Sequence, residues 1–221
     1  MTETHERRDA AQAEHPRRGG SFWRELPVLI VVAVLVAVAV RVFVLQTFWI
    51  PSGSMEHTLD INDRVLVNKL IYDFRDPHRG EIVVFRSPVS WRTNPNEKDF
   101  IKRVIAVGGD HVVCCDRNDR IMVNGHALDE KSYLYRNPDG TYVAPSAEPF
   151  DVRVPKGRLW VMGDHRNESG DSREHFVQDR DVDNATIPVD SVIGDAFALY
   201  WPLDRATWLG VPRTFDGVPD P

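Results

Sequence analysis

Hydrophobic positions fall into two regimes along the chain. Fifteen residues from Leu26 to Val40 pass without a charge, then comes Arg41, then Val42 to Leu45. Read as one helix, Leu26 to Leu45 at ~1.5 Å per residue reaches ~30 Å, the thickness of a hydrocarbon core. Arg41 lies near one end, where a long side chain can snorkel to the headgroups. Trp23 on one flank and Phe48 and Trp49 on the other are placed as interfacial anchors. A cleaved secretory signal would have a shorter apolar core and a small-residue exit, for which Ala37-Val38-Ala39 offers a candidate. That triplet lies inside the run, with more apolar residues behind it. The pattern predicts an uncleaved transmembrane anchor over residues 26–46.

Beyond residue 46 the apolar runs are short. "DRVLVNKLIY", "GEIVVFRSP", "DFIKRVIAVGGD", "HVVCC", "FDVRVPKGRLWVMGD" and "DSVIGDAFALYWPL" are rich in Val, Ile and aromatics, with Gly, Asn, Asp and Pro between them. Such runs read as strands joined by turns. None keeps a helical period for more than about two turns. The prediction is a mainly β fold, a coiled antiparallel sheet over 47–110 and 160–200 interrupted by a β-hairpin-rich insertion over 111–159. The Pro- and Gly-rich residues 201–221 predict an irregular C-terminal tail.

Charge refines this picture. Residues 1–25 are polar and nearly free of aliphatic side chains, so they predict a disordered tail. Arg17, Arg18 and Arg24 precede the apolar run, and no Lys or Arg occurs between Arg41 and Arg64. The positive-inside rule therefore puts the tail in the cytoplasm and the β part outside, on a single-pass protein of the plasma membrane. The net charge is −6 with scattered basic residues, which argues against a nucleic-acid partner. Cys114 and Cys115 are adjacent, and strand neighbours point to opposite faces. Two passive thiols are expected there, with neither a disulfide framework nor a metal site.

Three clusters could carry chemistry. Ser54 lies in "WIPSGSMEHTL", residues 49–59. Turns are rich in Ser for structural reasons, and Met55 and Glu56 exclude a G-x-S-x-G elbow. A serine nucleophile needs a base. His57, three residues on, fits a solvated loop position better than that role. Lys102, in "DFIKRVIAVGGD", qualifies if burial lowers its proton affinity. Alternation puts Lys102 and Arg103 on opposite faces, so one of the two charges is expected to point inward. An edge-strand lysine that discourages aggregation is the competing reading. The third cluster, "GDHRNESGDSREHF" from Gly163 to Phe176, lacks the spacing of a calcium loop or a zinc site. Asp171 and Arg173, two apart, would project to one side and could lock this loop by a salt bridge.

Together the clusters resemble the bacterial type I signal peptidases, membrane-anchored Ser/Lys leader peptidases. "IPSGSM" with "TL", "RGEIVVF", "IKRVIAVGGD" and "GDHRNESGDSR" stand in the family's order behind an N-terminal span. The resemblance implies a coiled antiparallel β-sheet catalytic domain with Ser54 as nucleophile and Lys102 as general base. It implies an oxyanion hole from the Ser52 hydroxyl and the Ser54 N–H. Ser169 would orient the lysine, and Asp171 and Arg173 would form the structural pair. His165, Asn167 and Glu168 depart from the family's commonest loop. An extended substrate would add as a strand beside Phe48–Ile50 and Phe100–Lys102. Residues such as Ile50, Met55, Leu59 and Ile101 would line shallow pockets and impose an Ala-x-Ala rule. The implied partners are signal-peptide-bearing preproteins and membrane lipid, with a monomeric protein and no cofactor or metal. Two rivals remain: a self-cleaving Ser/Lys repressor of the LexA type, and a non-catalytic anchored β-domain that binds a partner.

Overall fold

A computed structural model of the chain describes residues 22–39, 41 and 44–221. The tail expected over residues 1–25 lies outside the described residues up to residue 21. The described residues fall into two compact units, one ending at residue 39 and the other starting at residue 41, taken separately below.

The first unit is α1 (Phe22–Ala39), eighteen residues long. Its side chains from Val28 to Val38 are all exposed. Among the described residues, no helix is long and apolar enough to cross a membrane. The helix expected to continue through Leu45 does not do so. Leu45 opens strand β1 (Leu45–Trp49), which pairs antiparallel with β2 (Arg64–Asn68), so its backbone is claimed by a sheet.

The second unit is built on a sheet whose strands run antiparallel throughout. Its order is β1, β2, β11 (Val192–Trp201), β3 (Ile82–Arg86), β4 (Asp99–Val107), β9 (Arg158–Met162) and β10 (Ile187–Pro188), and β12 (Thr207–Trp208) pairs with β11. The unbroken apolar stretch of β3 is explained by its place. Ile82 and Val84 enter one buried cluster with Val65, Val67 and Leu199. Val83 and Phe85 enter another with Val104 and Val161. Alternate residues of a strand face opposite sides, so a strand covered on both faces needs no polar alternation. Each such side chain contributes about 1.5–3 kcal/mol by leaving water.

A second sheet, of order β7 (His126–Ala127), β6 (Met122–Val123), β5 (His111–Cys114) and β8 (Phe150–Arg153), occupies residues 111–153. Val112, Val123 and Val152 pack beneath it with Trp160 of the main sheet and with Phe215 and Val218 near the C-terminus. The expectation of two free thiols is overturned here: Cys114 and Cys115 form a disulfide with each other. Cys114 is the last residue of β5, so the pleat that would keep the two side chains on opposite faces stops at that point.

Candidate active site

The segment after β1 is shaped locally. Ile50 closes a last pair of backbone bonds with the 62–63 turn, Ile50 N–H to Asp63 O at 2.9 Å and Asn62 N–H to Ile50 O at 2.9 Å. Pro51 then has no N–H to offer a ladder. Gly53–Met55 form one 3-10 turn, in which Met55 is driven into the core beneath and Ser54 is carried at its crest. Ser54 is only 5% exposed. Its carbonyl accepts from the His165 N–H at 3.1 Å, which ties the turn to the 163–171 loop.

Strand β4 delivers the partner. Lys102 Nζ lies 2.6 Å from Ser54 Oγ, and the contact is buried. Burial lowers the lysine to about 8, against Asp171, Glu97 and Asp164, which pull it up. The next residue, Arg103, is buried too, so both charges point inward, one into each side of the sheet. Arg103 is held bidentate by Asp164, Nε to Oδ1 at 2.9 Å and Nη2 to Oδ2 at 2.6 Å. It also donates to the Gly80 carbonyl and stacks 4.4 Å over the Tyr133 ring.

The 163–171 loop is locked from within. Asp171 accepts from Arg173 Nε at 3.0 Å and Nη2 at 2.8 Å, and from the Gly163 N–H at 2.9 Å. Burial alone would raise Asp171; Arg173 and the amide hold it below the usual carboxylate range. A Cβ on Gly163 would overlap the Ser54 carbonyl and Ser169 Oγ, so only glycine lets loop and turn approach this closely. Ser169 Oγ is buried and meets no partner at hydrogen-bond geometry, although it lies close enough to Asp171 to favour that carboxylate. The bond to Lys102 implied by the resemblance is not made.

The insertion supplies residues that sequence reading missed. Glu130 pairs with Arg166, which in turn donates from Nε to the Gly163 carbonyl at 2.9 Å. Pro145 O accepts from both Arg166 and Arg173. Nothing in "LDEKSY" marks Glu130 as buried, since its partner is 36 residues away. His165, one of the departures from the commonest loop, stacks on Tyr135 at 3.8 Å and places Nδ1 3.0 Å from Glu56 Oε2.

A cleft of about 190 Å³ opens onto Ser54 and Lys102, bordered by Ser52, Trp91, Phe100 and Ile101. Ser52 is exposed and its hydroxyl makes no capping bond. Ile50, Met55 and Leu59, expected as pocket lining, are at most 1% exposed and belong to the core under the turn. Phe48 sits half-buried on β1. A larger cavity of about 530 Å³ lies in the insertion between Leu128, Lys131 and Tyr142, and neither Ser54 nor Lys102 reaches it. Among the described residues, no group of three or more His, Cys, Asp or Glu could hold a metal ion.

The profile of the family "Signal peptidase, peptidase S26" matches residues 23–201. Signal peptidase I of Mycobacterium tuberculosis is 38% identical over 93% of this chain and 81% of its own. The signal peptidase I of Leptolyngbya laminosa is 36% identical over 83% of this chain and 82% of its own. A crystal structure of a signal peptidase I from Enterococcus faecalis V583 overlays 55% of this chain and 97% of its own at 26% identity with a TM-score of 0.38, so the relation rests on sequence. A buried Ser–Lys contact inside a chain matched over this length leads to one conclusion: the chain belongs to the signal peptidase family, peptidase S26, and is a peptide hydrolase that removes signal peptides.

Proposed function

We propose that this removal runs through Ser54 as nucleophile and Lys102 as general base, on preproteins cut after Ala-x-Ala. The observation that carries the reading is the 2.6 Å contact between Lys102 Nζ and Ser54 Oγ, made by a lysine that burial brings to about 8. A neutral amine at that distance takes the hydroxyl proton as Oγ attacks the scissile carbonyl. The oxyanion is met by the Ser54 N–H and the Ser52 hydroxyl. On collapse Lys102 returns the proton to the leaving amine of the mature protein. Water then loses a proton to Lys102 Nζ and attacks the acyl carbon. The lysine passes that proton to Ser54 Oγ as the ester bond breaks and the signal peptide leaves as a carboxylic acid. Asp171 and Arg173 lock the loop that carries Ser169.

The sheet register supports a strand-like substrate. β9 pairs with β4 only from Arg103 onward, where Arg103 faces Met162, whereas β3 accompanies β4 back to Asp99. The edge of β4 from Asp99 to Lys102 on the β9 side is therefore open to an extended peptide. Alternation turns the residue before the cut and the one two before it to one face, where Ile101 and its surroundings admit only small side chains. An apolar anchor that begins at residue 26 and ends before β1 opens at Leu45 holds the chain in the plasma membrane, with residues 1–25 in the cytoplasm. The catalytic core over 47–110 and 160–200 and its insertion over 111–159 lie outside, as a monomer. Nine residues from Leu45 to Ser54 span at most ~30 Å, which confines the nucleophile to the membrane surface where a translocated preprotein presents its cut site.

The test is cleavage of an Ala-x-Ala preprotein by the full chain in neutral detergent, alongside Ser54→Ala. Cleavage at the Ala-x-Ala bond by the native chain and none by the variant is expected. Undiminished cleavage by Ser54→Ala would remove the nucleophile from this role.

A further inference from the structure

We propose that the acidic rim of the Ser54 cleft, Glu97 foremost, selects the charge of the substrate segment just before the cut, admitting basic and neutral residues and turning acidic ones away. The inference rests on the reading of Ser54 and Lys102 given above. Among the described residues, three carboxylates border that cleft, those of Glu97, Asp99 and Glu168, and the one cationic side chain lining it is Lys102. A lysine must be neutral to act as a general base, so in the working state the cleft is purely anionic. Neither Glu97 nor Glu168 is engaged by an ion pair or side-chain hydrogen bond with a described residue. Asp99 has Arg86 at 3.9 Å, with the arginine 69% exposed, so its charge is compensated only in part. The field of the rim already reaches the reaction centre, because Glu97 is among the groups that favour the protonated lysine.

Geometry places the rim along the substrate. A peptide paired with the open edge of β4 leaves Lys102 and runs back past Asp99, three residues or ~10 Å away at a strand's rise. Glu97 and Asp99 thus flank the residues about three to five positions before the cut, and Glu168 faces them from the loop across the cleft. One exposed charge pair changes an equilibrium by roughly 1.4- to 5-fold. Replacing a basic residue by an acidic one reverses two or three such pairs at once, so a span of about tenfold is expected at low salt.

The experiment uses the full chain in neutral detergent and three Ala-x-Ala peptides, identical except for Lys, Gln or Glu four residues before the cut. The expected kcat/KM order is Lys above Gln above Glu, about tenfold from end to end, narrowing toward unity in 1 M NaCl. The double variant Glu97→Gln/Glu168→Gln should shrink the span to the roughly 1.4- to 5-fold that Asp99 alone can supply. Equal rates at low salt in the native chain, or an undiminished span in the double variant, overturns the inference while leaving the Ser54–Lys102 reading in place. If none of the three peptides is cut, that reading falls, and the inference falls with it.

Discussion

Lys102 and Arg103 follow each other on β4, and the protein meets their charges in different ways. Arg103 finds a carboxylate, Asp164, that matches its fork with two short bonds. Burial works against its charge, but Asp164 holds it above its ordinary value. Among the described residues Lys102 finds only the Ser54 hydroxyl within bonding distance, and burial draws it down to about 8. Two cations at equal depth therefore have different uses. The paired one is fixed as structure, because breaking a buried ion pair leaves an uncompensated charge. The unpaired one can give up its proton near neutral pH, which suits it to the role of base proposed above.

The largest effect expected from breaking this contrast is on the lysine side. Lys102→Met should lower preprotein cleavage about 10⁴-fold, the upper end of what a positioned base contributes. The same change should leave the fold as stable or make it more so at pH 7. Below about pH 8 the folded and unfolded chains both carry the lysine proton, so its burial weighs on the fold in full. Between that value and the ordinary lysine value the unfolded chain binds more protons, so stability rises with pH as the folded chain sheds its own. Met removes the penalty and this slope together. Thermal melts at pH 7 and pH 10 check it, and a variant that cuts at more than a few per cent of the native rate ends the assignment.

Arg103→Met should do the reverse. It leaves Asp164 buried with Thr58 as its remaining side-chain partner, and loss of one member of a buried pair costs about 3–5 kcal/mol. Urea denaturation should show that loss. A variant as stable as the native chain would mean that Arg103 and Lys102 are not the opposites described here.

Half of this contrast was legible in the sequence. Period-two alternation separates Lys102 from Arg103 on any strand. The expectation that one of them faces inward holds for Lys102 and falls short for Arg103, which is buried too, because β4 lies between β3 and β9 with packed clusters on both faces, a fact about its neighbours and not about its own residues. Ser54, Lys102 and the Asp171–Arg173 pair were legible because their signals are local. Glu130 and Tyr133, which brace Arg166 and Arg103 from the insertion, were not, since nothing in their own surroundings announces a distant partner. Ile50, Met55 and Leu59 were placed correctly near Ser54 but on the wrong side of the backbone: the turn sends them into the core and leaves Phe100 and Ile101 at the cleft.

A smaller effect tests whether Ser52 belongs with the lysine. Its hydroxyl is exposed beside the cleft and caps nothing, so the fold makes no use of it. Ser52→Ala should lower kcat about 10²- to 10³-fold, ~2.7–4 kcal/mol, as removal of an oxyanion donor does. KM and melting temperature should stay near native values, because the bond matters only as charge develops on the carbonyl oxygen. Ser52→Thr should restore part of the rate. A loss confined to KM would make Ser52 a substrate contact instead.

The smallest effect adjusts the lysine without touching it. Four charged groups besides its own act on Lys102: Asp171, Glu97 and Asp164 favour its proton, and Arg173 opposes it. Asp171 and Asp164 are each tied into a buried ion pair, so changing either disturbs the fold as well as the field. Glu97 is in no such pair and borders the cleft directly. Glu97→Gln removes one attraction for the proton, so Lys102 should lose it at a lower pH. In the mechanism proposed above only the neutral amine acts, so the rate should rise tenfold per pH unit on the acidic side and level off near pH 8 in the native chain. In the variant that limb should move down by ~0.2–0.7 pH unit, the worth of one partly screened charge. It is read from kcat/KM against pH with the neutral Gln peptide, so that substrate charge plays no part. Asp139→Asn, at an exposed acid in a turn of the insertion, should leave the limb where it is. If the Glu97 variant keeps the native limb, the group titrating there is not this lysine, and the contrast with Arg103 loses its catalytic meaning.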